Sequence, residues 1–288
     1  MSCWTIQLLP YRLVLELALR RNNRINDRKA NDALKAQRHI SIQLGQALLN
    51  LKSEIPVIAV VYNNGIYAEH LTRQLCDFGI RPIIIDNAST DSETLHIMDK
   101  LEKEKLCMIV RSPMNFGHMV GFLPLVYSAL PQCFAYTDPD ILFSPNLPSN
   151  FLITLRDLAF KYQTFKAGFA LDLCYASEVT GQTVGRQTVD KTDEKYWGIR
   201  EWESQFWRFR LDDTLEVYAA DIDTTFAVYV KDHYKGDFYD AIRVAGKYKS
   251  IHMPWFPSMD IMSAPQREIY LSNNISTTWM CADKPTRD

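Results

Sequence analysis

From residue 55 onwards, short apolar runs rich in Ile and Val alternate with longer stretches in which apolar residues recur at helical spacing. This alternation predicts an α/β fold, with a mostly parallel sheet flanked by helices. In such a sheet, ligands are expected beyond the carboxyl ends of the strands. The predicted strands cover residues 55–62, 81–85, 106–110 and 133–136, and the predicted helices cover residues 67–78, 92–104 and 122–130.

The segment before residue 53 follows a different pattern. It contains no Gly before Gly45 and is rich in Leu, Ala and Arg, which predicts a helical extension, with or without a break around residues 22–26. Residues 1–50 hold eight basic and three acidic residues, a balance of +5, whereas the whole chain carries −2. Two interpretations follow: a basic amphipathic helix resting on an anionic membrane surface, or a helix packed on the body or against another subunit.

Composition narrows the class of protein. The 288 residues are 47% hydrophobic and 23% charged, as in an ordinary globular chain, and the small net charge excludes a protein built as a whole to bind nucleic acid. The six cysteines lack any C-x-x-C spacing, which indicates reduced thiols. No apolar run reaches the length of a membrane-spanning helix and no leader is recognised, so a cytoplasmic location is expected. The alternative is peripheral attachment to the inner face of a membrane through residues 1–50.

Polar side chains collect where the predicted strands end. Because the carboxyl ends of parallel strands share one edge of the sheet, these residues are expected to line one cleft that bears carboxylates. They are Tyr62, Asn63, Asp86, Asn87, Arg111, Asn115, Asp138 and Asp140.

Asp138 and Asp140 form the sharpest feature of this set. Extended geometry directs alternate side chains to the same side, and Pro139 fixes the backbone between them. Two carboxylates facing one point repel unless a cation neutralises them, so the pair predicts a site for Mg2+ or Mn2+ that would accept diphosphate oxygens. The alternative is that Asp-Pro-Asp only makes a turn.

The order of these motifs resembles the nucleotide-sugar half of GT-A fold glycosyltransferases, family 2 and its bacterial and viral relatives. The resemblance is carried by Ile58-Ala59-Val60-Val61-Tyr62-Asn63, Asp86-Asn87-Ala88-Ser89-Thr90-Asp91, Asn115-Phe116-Gly117 and Tyr136-Thr137-Asp138-Pro139-Asp140, and more weakly by Asp221-Ile222-Asp223-Thr224 and His252-Met253-Pro254-Trp255. It implies a GT-A-like (Rossmann-like) catalytic domain over residues 53–288, with a nucleotide-sugar half at 53–145 and an acceptor half at 146–288, preceded by the basic helical extension at 1–52.

The resemblance also implies roles for single residues. Val61 and Tyr62 would bracket the nucleobase, and Asp86, with Asn87 beside it, would hydrogen-bond it. Arg111 and Asn115 would face the ribose or the phosphates. Metal ligation would fall to Asp138, which also touches the ribose, to Asp140 as the direct ligand, and to His252.

The reaction itself indicates where a base belongs. Transfer with inversion needs a carboxylate that takes the proton of the acceptor hydroxyl, and Asp223 is favoured over Asp221 for that role. Both stand where a strand at 224–230 is predicted to begin, so capping of that strand is the alternative. A retaining mechanism, which is less favoured, needs no such base.

An aromatic stretch at residues 172–210 is the predicted acceptor region. Aromatic rings pack on the apolar face of a sugar while charged neighbours bond its hydroxyls. Asp172, Trp197 and Trp202 are the candidate acceptor-binding residues, and the alternative is that the aromatic side chains form core.

Together these features predict a metal-dependent glycosyltransferase of the hexosyltransferase type. It would move a sugar from a nucleotide-diphosphate donor to a glycan or lipid-linked acceptor, in the synthesis of cell-surface polysaccharide or glycan. Two rivals remain: a sugar nucleotidyltransferase, which would carry a Gly-rich phosphate loop near its first strand, and a catalytically silent domain of the same fold that binds carbohydrate or scaffolds a complex.

Overall fold

The structure is a computed structural model that describes the backbone of residues 8–173, 183–187, 194–198 and 203–273. The helices are α1 Leu8–Leu51, α2 Gly65–Asp77, α3 Ser92–Lys103, α4 Pro124–Ala129, α5 Phe151–Tyr162 and α6 Ala264–Asn273. The strands are β1 Val57–Val61, β2 Ile83–Asp86, β3 Met108–Arg111, β4 Cys133–Thr137, β5 Ile141–Phe143, β6 Lys166–Phe169, β7 Thr183–Gln187, β8 Glu194–Gly198, β9 Arg210–Asp212, β10 Val217–Ala219, β11 Ala227–Val230, β12 Ala241–Val244 and β13 Ser250–His252.

Nine strands form the central sheet, in the order β3-β2-β1-β4-β11-β6-β12-β10-β9. The first four are parallel to one another, β11 is antiparallel to both of its neighbours, and β6 and β12 are again parallel. Strand β10 is antiparallel to β12 and to β9, so only β10 and β11 run against the common direction. The predicted α/β class, with a mostly parallel sheet flanked by helices, is confirmed.

Apolar residues fill both faces of the sheet, which explains why β1 is a continuous apolar run instead of an alternating one. One face packs Phe143, Phe151, Phe169 and Phe226 against one another under α2, α3 and α5. The other face carries Tyr229, whose ring stacks on a neighbouring phenylalanine at 5.2 Å, beneath α4 and the end of α1. The edge that carries the predicted site lies between these two layers.

The end of α1 belongs to that second layer. Ile40 and Leu44 are fully buried against the sheet, one helical turn apart. Gln43 covers the open edge of β3: its amide nitrogen donates to the main-chain oxygen of Arg111 at 3.1 Å, and its oxygen accepts from the main-chain nitrogen at 3.2 Å. The helix runs unbroken from Leu8 to Leu51, and its last turns pack on the body, while the domain boundary at residue 52 stays a prediction.

A chain that begins at Ser53 is expected to be less stable than one that begins at Asn31. Removing Ile40 and Leu44 exposes their contacts in the sheet, at roughly 1.5–3 kcal/mol for each buried side chain. Urea unfolding of the two shortened proteins measures the difference. Equal free energies of unfolding would show that the helix is a detachable extension.

None of the described helices has the length and apolar character that crossing a membrane requires.

Candidate active site

Asp138 and Asp140 follow β4 directly, at the carboxyl edge of the parallel strands. Thr224 holds the first of them, because its hydroxyl donates to the Asp138 carboxylate at 2.5 Å and its main-chain oxygen accepts from the Asp138 nitrogen at 3.2 Å. Asp140 is buried, with 5% of its surface exposed, and its main-chain oxygen accepts from Met253. The loop that contains the two carboxylates is therefore fixed on both sides.

His252 reaches the same place from the far end of the chain. It closes β13, which pairs antiparallel with β5 so that His252 stands opposite Ile141. The imidazole Nε2 lies 3.5 Å from the Asp140 carboxylate, and the ring packs against Trp255. The structure thus brings His252 beside Asp140, and its role as a metal ligand stays a prediction.

The electrostatics of this group favour a cation. Burial raises the pKa of both Asp138 and Asp140, and for Asp138 the neighbouring Asp140 charge adds to the effect. Burial lowers the pKa of His252 to about 4, so its imidazole is neutral at pH 7 and offers a lone pair. Oδ1 of Asp140 and Nδ1 of His252 are buried without a hydrogen-bond partner.

These residues fit a divalent metal. Carboxylate oxygens with one neutral imidazole suit Mn2+, and Asp140 and His252 each have a buried polar atom without a hydrogen-bond partner. Within the described residues no group of three or more His, Cys, Asp or Glu side chains is arranged to hold a metal. A cation there would complete its shell with water and substrate oxygens, as Mg2+ commonly does.

Asp221 and Asp223 lie on the loop that leads into β11. Because β11 runs against β4, this loop comes to the edge at which Asp138 stands. Both side chains are exposed, and Asp223 is close enough to Asp138 to raise that carboxyl's pKa. The hydroxyl of Thr224, the next residue along the loop, donates to Asp138.

The predicted donor residues at β2 and β3 converge, but they bond one another. Arg111 forms an ion pair with Asp86 at 3.2 Å and a second with Asp99, rather than standing free for phosphates. The side chain of Asn87 donates to Asn115 at 2.7 Å and accepts from the main chain of the following turn. This network lies at the end of β2 and β3, and β2 is two strands away from the strand that precedes Asp138.

The end of β1 lies between this network and the loop that carries Asp138. The Val61 side chain is fully buried in the core and its main-chain oxygen accepts from Asn87, whereas Tyr62 is half-buried at the surface. Contact of these two residues with a nucleobase stays a prediction. The main-chain nitrogens of Tyr62, Asn63 and Gly65 already donate to Asn64, Ser89 and Thr94.

The acceptor residues are only partly placed. Asp172 follows β6 at the same edge of the sheet and pairs with Lys249 at 2.7 Å. Trp197 lies on β8, whose side chains are not described, and Trp202 lies outside the described residues.

Sequence reasoning missed several groups around the site. His118 is close enough to Asp138 to lower its pKa, and its place directly after Asn115-Phe116-Gly117 was the available signal. Lys166 and Arg243 lie buried beneath the loop that carries Asp223. Burial lowers the pKa of Lys166 to about 7, and nothing in a strand that begins with a lysine signals that its amine points inward.

Fold and site together define an α/β protein with a carboxylate and imidazole centre at the carboxyl edge of its parallel strands. No protein-family model matches the chain, and no curated protein sequence matches it.

Solved structures give distant likenesses. The mannosyltransferase PcManGT from Pyrobaculum calidifontis, in complex with GDP-Man and Mn2+, is 14% identical with a TM-score of 0.38, over 68% of this chain and 56% of that one. S. aureus TarS 1–349 is 12% identical with a TM-score of 0.36, over 81% and 76% of the two chains. A UDP-glucose pyrophosphorylase in complex with UDP-glucose is 13% identical with a TM-score of 0.30, over 67% and 74%. This chain thus spans little more than half of the mannosyltransferase, and its fold class rests on its own sheet.

Proposed function

We propose that this protein is a metal-dependent glycosyltransferase that moves a sugar from a nucleotide-diphosphate donor to a glycan or lipid-linked acceptor. The observation that carries the proposal is the contact between Asp140 and His252, with Asp138 and Asp223 close by, at the edge where a parallel sheet binds its ligand. Three separate parts of the sequence supply these groups.

The residues divide the work between donor and acceptor. Asp140 and His252 would hold Mn2+ or Mg2+, with Asp138 beside them. When bound, the cation supplies positive charge where the diphosphate leaves. Tyr62 would cover the nucleobase. The ion pair between Asp86 and Arg111 would lie on the far side of that nucleobase.

Asp223 acts on the acceptor. As an exposed carboxylate near Asp138, it would orient the attacking hydroxyl and take its proton at a carboxylate oxygen. The hydroxyl oxygen would then bond the anomeric carbon as the bond from that carbon to the diphosphate breaks, and this direct displacement inverts the configuration. Asp172, at the end of β6, and the aromatic residues Trp197 and Trp202 are the proposed contacts of the acceptor sugar. An acceptor that is lipid-linked would place the protein at the inner face of a membrane, in the synthesis of surface polysaccharide.

The rival nucleotidyltransferase function needs a loop whose main-chain nitrogens cradle a triphosphate. Here the loop after β1 uses those nitrogens internally, because Tyr62, Asn63 and Gly65 donate to side chains of the protein itself. A silent binding domain, in turn, has no use for a buried carboxylate, Asp140, beside the half-buried carboxylate of Asp138, since their repulsion costs stability without a cation.

Thermal denaturation with UDP, GDP, CDP and dTDP, each with Mn2+ and each with EDTA, tests the proposal. One diphosphate is expected to raise the melting temperature with Mn2+ and to lose that effect with EDTA, since a ligand at a hundred times its Kd stabilises by about 2.7 kcal/mol. The matching triphosphates are the control: a stronger effect of a triphosphate would favour the nucleotidyltransferase. If no nucleotide shifts the transition under either condition, the glycosyltransferase proposal fails.

A further inference from the structure

The loop before β11 presents its side chains alternately to water and to the core. Asp221 and Asp223 are exposed, whereas Ile222 and Thr224 are 1% and 3% exposed. The loop therefore directs two carboxylates outward while Ile222 and Thr224 anchor it from within.

Lys166 supports this loop from below. The side chain is completely buried, and its Nζ donates to the main-chain oxygen of Asp223 at 3.0 Å. The hydroxyl of Tyr229 donates to the same oxygen at 3.3 Å, and the amine lies 3.7 Å from the ring centre of Phe238. Burying an amine among aromatic rings costs free energy unless its hydrogen bonds are made. The main-chain oxygen of Asp223 accepts one of these bonds.

Arg243 supports the other end of the loop in the same way. Its Nε donates to the main-chain oxygen of Asp221 at 2.8 Å. Its Nη1 pairs with Glu203 at 2.6 Å, and both side chains are buried. The guanidinium also lies 4.0 Å from the ring centre of Phe206, which fixes its plane.

The sheet leaves room for this arrangement. Strands β6 and β12 are parallel neighbours, and Arg243 stands opposite Gly168, two residues after Lys166. A Cβ on Gly168 would lie 2.4 Å from the main-chain oxygen of Phe226 and 2.8 Å from Ile222, so the absence of a side chain there lets the loop pack closely on the sheet.

We propose that Lys166 and Arg243 are positioning residues: they hold the main chain of residues 221–223 from beneath, so that the Asp221 and Asp223 carboxylates stay directed outward, with Asp223 near Asp138. The inference rests on the proposed function for its catalytic consequence. The restraint on the loop itself does not depend on it.

Lys166→Met tests this, with Lys231→Met as the matched control. Lys231 likewise donates from a partly buried amine to two main-chain oxygens, those of Tyr127 and Leu130, both at 2.6 Å. Lys231 follows the end of β11, whereas Asp223 precedes its beginning, so the two residues lie at opposite ends of this strand. Methionine is close to lysine in length and volume and removes the hydrogen-bond donors together with the charge of either side chain.

Two measurements separate positioning from a merely structural role. In Lys166→Met, amide hydrogen exchange over residues 221–225 is expected to rise at least tenfold, and kcat to fall at least tenfold, while the KM for the donor and the melting temperature stay near those of the wild type. Lys231→Met should leave both the exchange of these amides and kcat unchanged. A double variant, Arg243→Met with Glu203→Gln, removes the second support without leaving a buried charge unpaired and should give the same pattern.

Unchanged exchange over residues 221–225 in Lys166→Met overturns the inference, as does a kcat within twofold of the Lys231→Met value. A parallel loss of donor binding would instead assign Lys166 to the general fold. The hydrogen-exchange measurement needs no substrate. If the wild-type protein binds no nucleotide, the proposed function is wrong, but the restraint on the loop can still be tested.

Discussion

Asp140→Asn is expected to abolish sugar transfer and the Mn2+-dependent part of nucleotide binding, while the protein remains folded. Asp140 is buried beside His252 and carries a carboxylate oxygen with no hydrogen-bond partner, so we expect it to be the principal ligand of the cation. Asparagine keeps the shape and removes the charge. Transfer assayed with the nucleotide found by thermal denaturation, and titration with Mn2+, measure both effects.

The stability of the metal-free protein provides a second readout with the opposite sign. The pKa of Asp140 is raised by folding, so at pH 7 its ionised form costs stability, and this cost grows as the pH rises above the unfolded pKa. Asp140→Asn should therefore melt at the same or a higher temperature than the wild type in EDTA, and show no rise with Mn2+.

Asp91→Asn is the control for this variant. Asp91 is about as buried, at 6% exposed, but its carboxylate caps α3 by accepting from Thr94, a role that asparagine can keep. Wild-type transfer is expected. Full activity of EDTA-treated wild type, or of Asp140→Asn, would remove the metal from the mechanism. Asp138→Asn should be affected less than Asp140→Asn, because Asp138 is expected to act partly through the ribose.

Asp223→Asn is expected to preserve nucleotide binding and to lower turnover by roughly 100-fold or more, the range that general-base catalysis supplies. The carboxylate is exposed beside the Asp138 loop, where an acceptor hydroxyl can approach, and its main chain is held by Lys166. The rate of transfer at saturating donor is the measurement, and the Kd of the nucleotide is the internal control.

Asp221→Asn distinguishes between the two carboxylates of this loop, since it removes an equally exposed charge two residues away. The larger loss assigns the base. The anomeric configuration of the product, read by NMR, gives an independent answer. Retention of the donor's configuration, or near-wild-type turnover in Asp223→Asn, would exclude Asp223 as the base.

The first half of the sheet could be predicted from the sequence because it follows local rules. Strands β1 to β4 are apolar runs whose boundaries the structure moves by no more than two residues, and α3 begins at Ser92 as expected, behind the capping Asp91. Asp138 and Asp140 could be found for the same reason, as polar residues directly after such a run.

What depends on distant pairing could not be predicted in this way. His252 reaches Asp140 only through the pairing of β13 with β5, and only the family resemblance pointed to it. The ion pair between Arg111 and Asp86 depends on adjacent parallel strands and was predicted as two ligand contacts. For Lys166, the sequence shows an amine at the start of a strand, and burial follows from aromatic residues more than sixty positions later.

The pairing of β13 with β5 also bears on synthesis of the chain. Domains take shape from the N-terminus as residues leave the ribosome, and β1 to β4 can associate while the rest is still being made. More than a hundred further residues are then synthesised after Asp140 before His252 and its strand are available. A nascent protein therefore carries the two carboxylates without their imidazole, and the proposed metal site is completed only late in synthesis.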